Sequence, residues 1–116
     1  MSIDEDDLWL SRAAELVGLV GPSARVAIVV RDGKLIAQAV QRGGDADVTA
    51  LTLACPRGRD GTLYLAQAPG PHSFALARRV GIRRMVLAAH VTLVPAELER
   101  WASLGSPSAR AEEIAA

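Results

Sequence analysis

A single cysteine, Cys55, cannot close an internal disulfide, so the fold is not a disulfide-stapled one. No charged segment leading into an apolar one marks a secretory signal, and together these absences lead us to expect a cytoplasmic protein. No apolar run approaches the roughly 20 residues that cross a bilayer, because Arg, Asp or Gly interrupts each hydrophobic stretch; a soluble chain is expected. Excess charge is missing too: 13 basic and 13 acidic residues cancel, leaving no bulk electrostatic footprint for nucleic acid or an anionic membrane. A nucleic-acid role would need a local patch. Lysine is nearly absent, Lys34 being the only one. The chain also has no internal repeat and no linker long enough to divide domains. What is present is 116 residues, 50% hydrophobic and 22% charged, the composition of one compact domain with a modest core.

An acidic stretch over residues 1–7 leads into Leu8, Trp9, Ala13, Leu16, Val17 and Val20, the spacing of an amphipathic helix. Its carboxylates suit the positive end of that helix, and Gly18, Gly21 and Pro22 break it near Val20. Residues 25–30 form a nearly continuous β-branched run that reads as a buried strand. Asp32-Gly33 separates this run from a second over residues 35–40, a hairpin signal because such a turn needs positive φ. Gly43-Gly44 closes the second strand. A helix is expected over residues 45–54, capped by Asp45, with Ala46, Ala50, Leu53 and Ala54 facing the sheet. A polar turn over residues 56–61 precedes a short strand over 62–66. Ala68-Pro69-Gly70-Pro71 delivers the chain into a helix over residues 72–80, ended by Gly81. A strand over 84–89 and a helix opened by Pro95, carrying Leu98, Trp101 and Leu104, complete the order; residues 106–116 read as a frayed tail.

This order implies an α/β fold, a mixed sheet with helices on its two faces and the later strands parallel. Ligands in such folds sit beyond strand ends where loops meet helix N-termini, here residues 43–47 and 68–73.

The order of pieces resembles the cytidine deaminase-like superfamily, especially the deaminase domain of riboflavin-biosynthesis deaminase-reductases and the tRNA adenosine deaminases. Asp7-Leu8-Trp9-Leu10 with Ala13 and Leu16 resembles the opening helix, and Val26 to Val30 with Arg31-Asp32-Gly33 the first hairpin. Asp45-Ala46-Asp47-Val48 takes the place of the His-Ala-Glu-Val motif. Thr62-Leu63-Tyr64 and then Pro69-Gly70-Pro71-His72-Ser73 resemble the strand and Pro-Cys-x-x-Cys loop, and Val80-Gly81-Ile82-Arg83-Arg84-Met85-Val86 the Ala-Gly-Ile-x-Arg-Val-Val stretch. The resemblance implies a three-layer α/β/α cytidine deaminase-like fold over residues 1–105, with a mixed sheet of four to five strands and an initial antiparallel hairpin.

In that family one histidine and two cysteines hold zinc and a glutamate shuttles protons. The resemblance places Asp45, Gly70 and Ser73 at the ligand positions and Asp47 at the glutamate. Gly70 offers no side chain, and a serine hydroxyl keeps its proton near neutral pH and replaces a thiolate poorly. Asp47 is one methylene short, leaving its carboxylate about 1 Å from the expected reach. Ser23 stands nearest the place of a substrate-contacting asparagine. We therefore expect no metal, no cofactor and no hydrolytic deamination, and a catalytically silent binding or assembly subunit. The family implies a homodimer, or a heteromer with a deaminase or another biosynthetic enzyme, with contacts on the helix of Phe74, Arg78 and Arg79.

The alternative is a metal-free enzyme or binder for a nucleobase-like or heterocyclic metabolite, with Asp47 and His72 as base and acid and Ser73 or Asp45 orienting the ligand. Asp45, Asp47 and His72 could also form a replacement metal site, although capping and first-turn charge account for both aspartates. His90 reads as a loop residue and Cys55 as a small buried hydrophobe. Arg78, Arg79, Arg83 and Arg84 form the densest positive cluster. They suit a phosphate or an acidic partner, or equally a helix C-terminus and the acidic N-terminus.

Overall fold

The computed structural model describes residues 5–42, 45–67, 69, 72–88 and 92–94. Gly43-Gly44, Gly70, Pro71 and His90, the helix expected after Pro95 and the tail over 106–116 lie outside the described residues. In chain order the elements are α1 (Glu5–Val20), β1 (Arg25–Arg31), β2 (Lys34–Gln41), α2 (Ala46–Ala54), β3 (Thr62–Leu65), α3 (Ser73–Val80), β4 (Arg84–Leu87) and β5 (Thr92–Leu93).

The strands form one mixed sheet in the order β2-β1-β3-β4-β5. The hairpin is as the Asp-Gly pair predicts: Asp32 has φ 52° and Gly33 φ 74°, both positive as a two-residue turn that follows strand twist requires. Strand β1 is antiparallel to β2 and to β3, β3 is parallel to β4, and β4 is antiparallel to β5. The sequence reading missed that last pairing, because β5 is only two residues long and carries no periodicity. In β1–β2 the register slips: Val29 pairs with Ala37 and Val30 with Leu35, leaving Ile36 as the extra residue of a bulge. The bulge lets both Ile36 and Ala37 reach the same core face.

Burial on both faces explains why β1 reads as an unbroken apolar run. Ala27 and Val29 join Leu63, Leu65 and Met85 beneath α2 and α3, whereas Val26, Ile28 and Val30 join Tyr64 and Val86 beneath α1. Each large aliphatic side chain so buried contributes about 1.5–3 kcal/mol. Two helix faces differ from the sequence reading. In α2 the core side is Ala46, Asp47, Ala50, Leu51 and Ala54, and Leu53 is 59% exposed. At 3.6 residues per turn Leu53 lies about a quarter-turn from that face. In α1 Trp9, Ala13, Leu16 and Val17 pack inward as expected, but Leu8 turns outward. Cys55 is exposed rather than buried, because it follows the last turn of α2.

Glycine is required at two close approaches. Gly81 caps α3 at φ 88°, its N–H shared between the Ala77 and Arg78 carbonyls. A Cβ on Gly61 would lie 2.8 Å from the carbonyl oxygens of Gly58 and Val30. There the turn after α2 meets the start of β4, with the Arg83 N–H on the Gly61 carbonyl at 2.8 Å.

The helix α1 is tied to the sheet through Asp6. Its carboxylate accepts the Tyr64 hydroxyl at 2.7 Å and both terminal nitrogens of Arg84 at 2.8 and 3.0 Å. The Trp9 ring lies 6.5 Å from that of Tyr64, closing the apolar side of the contact. Arg84 thus pairs with the acidic N-terminal helix, one of the roles its sequence position suggests. Burial, and then the hydrogen bond and charge of Asp6, raise the Tyr64 pKa above the ordinary tyrosine range; Arg84 opposes this. The folded state therefore holds the protonated phenol, and its stabilisation is complete below the unfolded value of about 10 and lost as pH rises above it. Tyr64 is the only tyrosine, so phenolate absorbance reports it directly. We expect ionisation only well above pH ~10 in the folded chain, and at about pH 10 in urea. We also expect a steeper alkaline loss of stability than in Tyr64→Phe. Asp6→Asn should cost about 2 kcal/mol in urea unfolding, since the pair is partly solvated; an unchanged midpoint would show that Asp6 does not hold α1.

Candidate functional site

Because β2 and β3 both oppose β1, they run in the same direction, and β4 runs with them. Their C-terminal ends and the N-terminus of β1 therefore share one end of the sheet. Helix α2 follows β2 and α3 follows β3, on the same face and against each other. Hence the expected positions do converge: Asp45 and Asp47 at the start of α2, His72 and Ser73 at the start of α3, and Ser23 before β1.

Their environments differ. Asp47 and Ser73 are fully buried, whereas His72 and Ser23 are exposed. Asp47 lies in the first turn of α2 as the sequence places it, and it shares the inward face of Ala50, Leu51 and Ala54 and is carried inside with them. Asp45 occupies the N-cap position without a side-chain cap. Its carbonyl, not its carboxylate, meets Thr49, taking the N–H at 3.0 Å and the hydroxyl at 3.1 Å. The Thr49 hydroxyl also accepts from the Gln41 amide at 2.9 Å, fixing the first turn of α2 to the end of β2.

Phe74 is 3% exposed and belongs to the core beneath α3, so its ring is not a docking side chain; it faces the sheet with Ala77 and Val80. Arg78 and Arg79 occupy the last turn of α3 and are exposed, as is Arg83.

The residues that the resemblance sets at the zinc positions, Asp45, Gly70 and Ser73, differ in kind from a histidine and two cysteines. Among the described residues no three His, Cys, Asp or Glu side chains gather where they could hold a metal. The sole cysteine ends α2, at the opposite end of that helix from Asp45 and about 15 Å along its axis. No thiolate is therefore at hand, and a buried serine hydroxyl and carboxylate are harder, weaker donors to zinc.

Gln67 is a residue sequence reading did not single out. Beyond the end of β3 its side-chain oxygen accepts the Val26 N–H at 2.8 Å, taking the place of a backbone acceptor, while the Val26 carbonyl accepts from Ala66. The Gln67 amide nitrogen is buried with no hydrogen-bond partner among the described residues. A polar residue just past a short strand was the one available signal. Gln67→Leu should strand the buried Val26 N–H and cost about 1–3 kcal/mol. Amide exchange at Val26 should accelerate; exchange as slow as in the wild type would show that another acceptor serves that group.

No family model and no curated protein sequence matches the chain. Solved structures do. RibD of Acinetobacter baumannii superposes with a TM-score of 0.65 at 17% identity, over 90% of this chain and 34% of that one. The Thermotoga maritima diaminohydroxyphosphoribosylaminopyrimidine deaminase/5-amino-6-(5-phosphoribosylamino)uracil reductase gives 0.60 at 27% identity, over 72% of this chain and 29% of that one. The dCMP deaminase of cyanophage S-TIM5 gives 0.61 at 15% identity, over 75% of this chain and 84% of that one. The chain thus spans about a third or less of the two larger proteins but most of the phage enzyme's length. The order of elements, the mixed sheet and these superpositions together establish that the chain has the cytidine deaminase-like fold.

Proposed function

We propose that this chain is a deaminase-like domain without a zinc site, acting as a binding or assembly subunit rather than as a hydrolytic deaminase. The observation that carries the reading is the donor set. Where a deaminase needs two thiolates and an imidazole, this chain has Asp45, Gly70 and a buried Ser73, with its one cysteine at the far end of α2. Loss of one ligand would weaken zinc; loss of all three, together with the shorter Asp47, removes both Lewis acid and proton shuttle. The partner is a second copy, or a deaminase or other biosynthetic enzyme, and the setting is cytoplasmic. Among the described residues no helix is long and apolar enough to cross a membrane.

One observation favours a second reading, a metal-free binder or enzyme for a nucleobase-like or heterocyclic metabolite. The Gln67 amide nitrogen, buried at the sheet end where α2 and α3 begin, has no hydrogen-bond partner among the described residues, and a ring acceptor that opened this end would complete it. With Asp47 sealed and His72 in solvent, binding fits this end better than acid–base chemistry between the two.

Ammonia release from dCMP and from an aminopyrimidine nucleotide, measured with zinc supplied, separates these accounts. No release above a protein-free blank is expected. Release proportional to protein concentration and abolished by Asp47→Asn would overturn the silent-domain reading. Calorimetric binding of the same compounds without turnover, lost in Gln67→Leu, would favour the second.

A further inference from the structure

We infer that the outer face of α1 is a self-association surface that joins two copies of this chain through antiparallel packing of their α1 helices. The inference rests on the assembly reading above, for which it names partner and surface. Leu19 is 82% exposed and Leu8 54% exposed, on a helix whose other side packs against the sheet through Trp9, Ala13, Leu16 and Val17. They are eleven residues apart, three helical turns, so both project from one stripe with about 16 Å between them along the axis. Between them on that stripe lie Arg12 and Glu15, both exposed.

The sequence positions are self-complementary. An antiparallel two-fold pairing centred between Ala13 and Ala14 sets Leu8 opposite Leu19 of the other copy and Arg12 opposite Glu15, each contact occurring twice. A leucine–leucine contact therefore stands at each end and an opposite-charge contact on each side of the axis, as an isologous interface requires. Parallel packing would set like charges together and each leucine against its own equivalent.

The patch extends beyond the helix. The Arg12 Nε donates to the Gln38 side chain on β2 at 3.0 Å, and the Glu5 carboxylate lies 3.9 Å from where a Cβ on Gly33 would be. Leu35, 43% exposed, stands on the sheet face that α1 covers, because it pairs with Val30 of that face. Leu8 and Leu35 then form the seat for Leu19 of the second copy. Strand β2, an edge of the sheet, becomes part of the covered surface. A contact built on two leucine pairs and two charge pairs, with no buried aromatic anchor, suits a dimer of micromolar rather than nanomolar strength.

Sedimentation equilibrium over a concentration series tests the surface. The wild-type chain should move toward twice its 12.2 kDa mass, and Leu19→Glu, at a position too exposed to matter for the fold, should weaken the dimer at least about tenfold. R12E and E15R should each be monomeric alone but associate when mixed, because the mixture brings opposite charges together at both contacts. A wild-type dimer unaffected by Leu19→Glu, with no association of the mixed variants, would overturn this surface while leaving assembly standing. A wild-type chain that stays monomeric at every concentration would overturn self-association itself, whatever the ammonia assay shows.

Discussion

The antiparallel pairing of β1 with both of its neighbours is the constraint on which the other placements depend. It makes β2 and β3 parallel to each other although they never touch, so the chain must cross over β1 between them, and α2 is that crossover. The step from β3 to β4 through α3 repeats the direction, and both helices fall on one face of the sheet. Helix α1, entering before the sheet begins, covers the other face and is held there by the Asp6 carboxylate between Tyr64 and Arg84. One pairing thus gathers two helix N-termini at one sheet end, and one charged contact secures the opposite layer.

Much of this was legible in the sequence. Asp32-Gly33 can only be a tight turn between two such runs, and an apolar run without alternation demands burial on both sides. Gly81 after an eight-residue helix announces a left-handed cap. The misses have a common cause, since periodicity locates a helix more surely than it orients it. The period that suggests Leu53 as a core residue of α2 turns, by a quarter-turn, to present Leu51 and Asp47 instead. Phe74 looks like an exposed anchor until α3 is rolled onto the sheet. The contact between Asp6 and Arg84 spans 78 positions, and sequence offers only the opposite charges from which to suspect it.

The candidate site was legible in position but not in character. Sequence order placed residues 45–47 and 72–73 at one end of the sheet, and the structure brings them there. It did not reveal that Asp47 and Ser73 are sealed from solvent, because that depends on how two short helices pack against each other. Nor did it reveal Gln67, whose importance comes from an acceptor that a four-residue strand leaves missing.

On the function proposed above, the scaffold and the chemistry of the fold have separated in this chain. The sheet, the two helix starts and their convergence need only apolar packing and turn residues, none of which depends on a metal. The positions that the resemblance sets at the zinc ligands, Asp45, Gly70 and Ser73, carry no thiolate and no imidazole, and Ser73 is buried. Elemental analysis of the purified chain, alongside a competitive titration with zinc, tests that separation most directly. The account predicts far less than one equivalent of zinc and an affinity no tighter than that of scattered surface carboxylates. One equivalent of tightly held zinc, displaced only by a strong chelator, would contradict it.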